Sequence, residues 1–156
     1  MKYYYSLLEG LVLLFNINQD QEWAYRVINA KRDFKRTKNL NKILDLFGGK
    51  GSLNDQILSQ QNEKKQPLIQ AFFEELCCYC LKASHYLMQT GELSVDNMID
   101  IHAEEYQKIR KNRKIVNTYS KEQNAYYQYQ EEANDAILEG LKKNNIEKAI
   151  LKHIKE

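Results

Sequence analysis

An all-α fold, a single-domain bundle of about six to eight helices, follows from three observations. Proline occurs once and glycine six times in 156 residues, so turns are few and the elements between them long. Lys, Glu, Gln, Leu and Ala, all good helix formers, dominate the stretches between turn signals. Sustained β-branched runs of alternating polarity are missing, so no strand is predicted. The length suits one core and no low-complexity linker divides it, so residues 1–156 are read as one domain.

The first helix is expected from about Tyr4 to Phe15, where Leu7, Leu8, Leu11, Val12, Leu14 and Phe15 make a face wide enough to be largely buried. A lysine followed by this apolar run could open a secretory signal, but Glu9 interrupts it and no small-residue cleavage site follows. The run is also short of the roughly 20 residues that span a membrane. Asp20 reads as an N-cap for a second helix, with Trp23, Val27, Ala30 and Phe34 inward and a basic outer face. A break at Thr37 to Asn39 precedes a third helix carrying Leu40, Ile43, Leu44 and Phe47 on one side.

Gly48 or Gly49 is placed to end that helix in the left-handed conformation. Ser52 then reads as the cap of a further helix. Its hydroxyl is expected to accept the Asp55 N–H while Asp55 reaches back, with Leu53, Ile57 and Leu58 facing inward. After the loop "SQQNEKKQ", Pro67 sits where a helix tolerates proline. The helix it starts is the expected centre of the core, from Ile69, Phe72 and Phe73 to Leu87 and Met88, and Gly91 stops it. Ser94 with Asp96 opens another helix, striped by Met98, Ile101, Tyr106 and Ile109. Ser120 and Gln123 form a capping box for the next, which carries Tyr126, Tyr129, Ala133, Ala136, Ile137 and Leu141. Asn144 and Asn145 break it before a terminal helix with Ile146, Ala149, Ile150 and Ile154.

Several chemistries lack their residues. A P-loop needs four residues between its first glycine and Gly-Lys, and a preceding strand; "GGKGS" has neither. Gly48, Gly49, Gly51, Ser52 and Asp55 are therefore read as a structural hinge, with the Asp55 carboxylate opposing an anion at the helix start. Cys77, Cys78 and Cys80 crowd one helical turn beside apolar neighbours. They read as small core residues of a reducing, cytoplasmic protein, not as metal ligands, a disulfide pair or a nucleophile. None of His85, His102 and His153 has the Glu-x-x-His or His-Glu-x-x-His spacing of helical metal sites. His102 is expected to pair with Asp100 or Glu105. The spacing of an arginine and a following histidine used by helical RNA-cutting domains is also lacking; Arg113 with Tyr119 is the nearest substitute. No catalytic residue, cofactor or metal is assigned, and the chain is not read as an enzyme.

Charge and tyrosine carry the remaining signal. The net charge is only +2, yet Arg26 to Lys42 and Lys108 to Lys114 are basic. Asp96, Asp100, Glu104 and Glu105, and then Glu131, Glu132, Asp135 and Glu139, are acidic. Separated patches of opposite sign steer and select charged partners. Tyr126, Tyr127 and Tyr129 add large, stiff side chains of the kind that anchor interfaces, and at least one is expected to face away from the core.

The stretch "LDLFGGKGSLNDQIL", preceded by Trp23 in a helix, resembles a family of uncharacterised small bacterial helical proteins with a Gly-Gly-x-Gly-Ser-hydrophobic-Asn-Asp core. The resemblance runs from Trp23 to Leu58, with Lys50 where that family has methionine, and it implies no catalytic residue. By analogy alone, it looks like the helical proteins that neutralise bacterial toxins. The expected function is thus an immunity protein or antitoxin for a secreted or contact-delivered toxin. It would bind a cognate toxin, such as a nuclease domain with a basic groove, and occlude its active site or substrate surface. The expected surface is Asp96, Asp100, Glu104, Glu105, Glu131, Glu132 and Asp135 with Tyr126, Tyr127 and Tyr129 as anchors, and charge reversal at Glu131, Glu132 and Asp135 should slow association. The alternative is a helical nucleic-acid-binding protein using Arg26, Arg32, Lys35, Arg36, Arg110, Lys111 and Arg113 on phosphates. No membrane association is expected.

Overall fold

The structure is a computed structural model that describes residues 1–48, 51–58, 66–115 and 121–155. Gly49, Lys50, most of the "SQQNEKKQ" loop, Tyr119 and the Ser120 cap lie outside them. Among the described residues there are seven α-helices and no strand: α1 (Lys2–Ile17), α2 (Gln21–Thr37), α3 (Asn41–Leu44), α4 (Gln66–Thr90), α5 (Val95–Ile115), α6 (Lys121–Lys142) and α7 (Ile146–Lys155). No helix is long and apolar enough to cross a membrane.

Local signals set most of the ends. Asp20 accepts the Trp23 N–H at 3.2 Å, which satisfies one of the free donors at the start of α2. Ser94 and Asn97 cap α5 reciprocally, the Asn97 N–H donating to Ser94 Oγ at 3.1 Å and the Ser94 N–H to Asn97 Oδ1 at 2.9 Å. The partner of Ser94 is therefore Asn97, one residue beyond Asp96, at the N3 position that a capping box requires. Asn145 accepts the Lys148 N–H at 3.1 Å and opens α7.

The helix expected after Ser52 is a single 3-10 turn, Leu53–Asp55, after which Gln56 is extended. Helical spacing therefore fails there. Leu53 and Leu58 turn inward, and Ile57 is 78% exposed instead of facing the core. At the other end of α4 Leu87 takes the inward position, and Met88, expected beside it, is exposed.

Apolar burial places α4 in the middle. It packs on α1, α6, α5 and α7, while α1 also carries α2 and α7. Phe72, Phe73, Leu76, Tyr79 and Cys80 of α4 meet Leu7, Leu11, Leu14 and Phe15 of α1 in one core. Phe15 meets Phe73 edge-on at 5.4 Å and stacks on Trp23 at 6.0 Å, joining α1, α2 and α4. Two buried polar links lock the helices in register. Tyr4 Oη is 2.7 Å from Ser84 Oγ, which donates to the Cys80 carbonyl. Tyr79 donates to Asn134 Oδ1, whose amide donates to the His102 carbonyl at 3.0 Å. In this arrangement α2 lies against α1 on one flank, and α5 lies against α4 and α6 on the other.

Candidate functional site

The described part of the glycine loop is held together by hydrogen bonds. The Leu53 N–H donates to the Leu46 carbonyl at 2.8 Å and draws the two limbs together. Asn54 Oδ1 accepts from the Gly48 N–H at 3.4 Å and from the Ser52 hydroxyl at 2.6 Å, and Asp55 Oδ2 accepts from the Gly51 N–H at 3.1 Å. The Gln56 amide donates to the carbonyls of Gly51 and Ser52. Gly48 and Gly51 adopt φ of +92° and +78°, a region other residues enter at a cost. The amides of Gly48 and Gly51 are thus occupied by side-chain oxygens, one of them an anion. The capping box expected of Ser52 is displaced: the Asp55 N–H donates to the Ser52 carbonyl, and the Ser52 hydroxyl goes to Asn54. The described part of the loop, which links α3 to the turn at Leu53, is tied down by these bonds.

A polar relay, not legible from helical spacing, continues from this loop into the bundle. The Leu58 N–H donates to Gln70 Oε1 at 2.9 Å, and the Gln70 amide donates to Glu74 Oε1 at 3.2 Å. Glu74 then accepts from the Tyr126 hydroxyl. Burial raises the Glu74 carboxyl above its ordinary value, against the hydrogen bonds from Gln70 and Gln130. Tyr126 is half-buried and committed to this relay, Tyr127 is half-buried with its ring 6.4 Å from that of Tyr126, and Tyr129 packs against the core. None of the three is an exposed anchor. Among the described residues the exposed tyrosine is Tyr25 on α2, at 63%.

The acidic residues divide into three groups. Asp96, Asp100 and Glu104 are exposed along α5 at spacings of four, so they form one outward row. Neither Asp96 nor Asp100 has an ion-pair partner among the described residues, whereas Glu104 meets Lys82 at 3.0 Å. Glu131, Glu132 and Asp135 on α6 are used between helices: Glu131 with Arg113 of α5 at 3.4 Å, Glu132 with His153 of α7 at 2.8 Å, and Asp135 with His102 of α5 at 2.7 Å. His102 therefore pairs across the seam with Asp135, not with Asp100 or Glu105 on its own helix. Of these three acids Asp135 alone is also exposed. Glu105, expected on the acidic surface, is 1% exposed and faces Glu75 and Lys82 inside the α4–α5 seam.

The basic segments lie on opposite flanks. On α2, Arg26 pairs with Glu22, Lys31 with Glu9, and Arg36 with Asp33. Arg32 and Lys35 are exposed without an acidic partner among the described residues, and Lys35 sits 4.8 Å from the Tyr5 ring centroid. Arg110, Lys111 and Arg113 are on α5, with the layers of α1 and α4 between the two groups. A shallow groove of about 320 Å³ beside α2 is floored by Val12, Leu13 and Ile28.

Cys77 and Cys80 are buried and Cys78 half-buried in α4. Burial pushes all three thiols up, Cys78 to about 12, away from the range of a thiolate nucleophile. Among the described residues no three His, Cys, Asp or Glu side chains converge as metal ligands.

The fold and these surfaces define a helical bundle with basic groups on α2 and on the end of α5, and an acidic row on the first part of α5. Residues 17–66 match the model of a family described as a domain of unknown function (DUF6966). This segment, which holds α2, α3 and the glycine loop, is thus similar to an uncharacterised family. No curated protein and no solved structure matches the chain.

Proposed function

We propose that this chain works by binding another protein through the acidic outer row of α5, as an immunity protein or antitoxin that occludes the active site or substrate surface of a bacterial toxin. The observation that carries this reading is the exposure of Asp96, Asp100 and Glu104 in one row, with Asp135 adjoining through His102. A near-neutral chain that segregates its charge suits a partner with a basic surface, such as the nucleic-acid groove of a nuclease toxin. Catalysis is not invoked. The nucleic-acid reading has less support, because Arg26, Arg36 and Arg113 already face acids and the two basic groups do not share a flank.

The deciding experiment is affinity capture of the tagged protein from its native host, repeated with the neighbouring gene product co-expressed. A stoichiometric, toxin-like partner that survives nuclease treatment and moderate salt supports the proposal. Recovery of nucleic acid alone, lost as salt rises, overturns it in favour of phosphate binding by the basic helices.

A further inference from the structure

Glu75 on α4 and Glu105 on α5 face one another inside the helix seam, at 2% and 1% exposure. Glu75 Oε2 and Glu105 Oε1 are both buried without a hydrogen-bond partner, and the two carboxyl groups are close enough to act on one another. Ionised carboxylates only accept, so two facing acids buried with an unpartnered oxygen each can satisfy one another only when one of them carries a proton. Lys82 decides which. Its ammonium stands 2.9 Å from Glu105 and 3.0 Å from Glu104, which holds the negative charge on Glu105 and leaves the proton to Glu75. We propose that Glu75 and Glu105 form a buried proton-binding site, in which the Glu75 carboxylic acid donates to the Glu105 carboxylate and Lys82 balances the remaining charge.

The surroundings favour one proton. Burial and then the Glu105 charge push Glu75 up to about 9 from its ordinary 4.5, with Glu74 of α4 acting in the same direction and Lys108 of α5 opposing. Cys78 and Tyr79 of α4 also face the pair, and both are raised by burial first and by the two acids after it. From α6, Asp135 adds its charge at Tyr79. Burial lowers the Lys82 ammonium, but its close contacts with Glu105 and Glu104 outweigh this and raise it, so the balancing cation persists. A pair of buried like charges with only one cation would carry a large desolvation cost, which the shared proton removes.

Proton binding leaves a signature in stability. The unfolded chain releases the Glu75 proton near 4.5, while the folded chain keeps it until about 9. The contribution is fully present below 4.5, is lost steadily as pH rises between these values, and is flat above them. Glu75→Gln keeps the shape and offers an N–H donor to Glu105 without titrating. Urea unfolding of both proteins from pH 5 to pH 9 should show the ratio of wild-type to variant unfolding constants climbing by as much as about tenfold per pH unit. Parallel curves overturn the proposal. Infrared spectroscopy of the wild type at neutral pH provides a test that does not depend on the variant folding. A carboxylic acid C=O stretch is expected, and its absence means that both acids are ionised and the site holds no proton.

Discussion

Asn134 is fully buried, and its amide serves two helices at once, accepting from Tyr79 of α4 and donating to the His102 carbonyl of α5. Asn134→Ala removes both side-chain links, leaving the Tyr79 hydroxyl only its 3.4 Å contact with the residue 134 carbonyl and the His102 carbonyl only its place in helix α5. Urea unfolding should show a loss of about 1–3 kcal/mol. Gly140 is constrained by space: a Cβ there would lie 2.8 Å from Ile146 Cα and 2.9 Å from Ala149 Cβ, where α7 crosses α6. Gly140→Ala should therefore destabilise by about 1–3 kcal/mol, because backbone has to move. At Gly10 the nearest atoms are Leu76 methyl carbons at 3.2 and 3.3 Å, which can give way. Gly10→Ala should cost less, the helix propensity of alanine offsetting up to about 1 kcal/mol, and the two variants measured side by side check the distinction. Glu75 was visible in the sequence as a charge inside the apolar run from Phe72 to Cys80. Glu105 lies four residues from both Ile101 and Ile109, on the buried stripe of α5, but its pairing with Glu75 left no local record because the two belong to different helices.

At the scale of elements, the helices rest on local signals joined to buried faces. Asp20→Ala removes the oxygen that accepts the Trp23 N–H, and about 1 kcal/mol of stability should go with it in denaturant unfolding. Such caps are legible because donor and acceptor are three residues apart. The same logic read Ser94 as the start of α5 and misassigned Ser52, where the chain makes one 3-10 turn before becoming extended. The reason is competition: Asn54 captures the Ser52 hydroxyl, and Leu58 and Gln56 are drawn to Gln70 on α4. Residues following the loop thus answer to a neighbouring helix, and Ile57 is left outside.

For the whole molecule, the consequential fact is the separation of the basic face of α2 from the acidic row of α5 by α1 and α4. A surface that attracts its partner through charge acts mainly on the association rate. With the captured partner in hand, Asp96→Lys together with Asp100→Lys should slow association markedly at low salt, with the difference shrinking as salt rises. Stopped-flow measurement over a salt series checks this, and an unchanged rate would remove the α5 row from the interface. Reversal at Glu131, Glu132 and Asp135 is a poorer probe, since those residues also hold α5 and α7 against α6. The helical class, the breaks at Thr37 to Asn39 and Gly91, and the buried faces of α1 and α4 were determined by the sequence itself. Helix propensity, caps and a 3.6-residue period act within one segment and leave a local record. Which acids face solvent, which pair across a seam and which share a proton was decided by tertiary structure alone. A helical period gives the direction of a side chain about its own axis, and burial depends on which other helix arrives there.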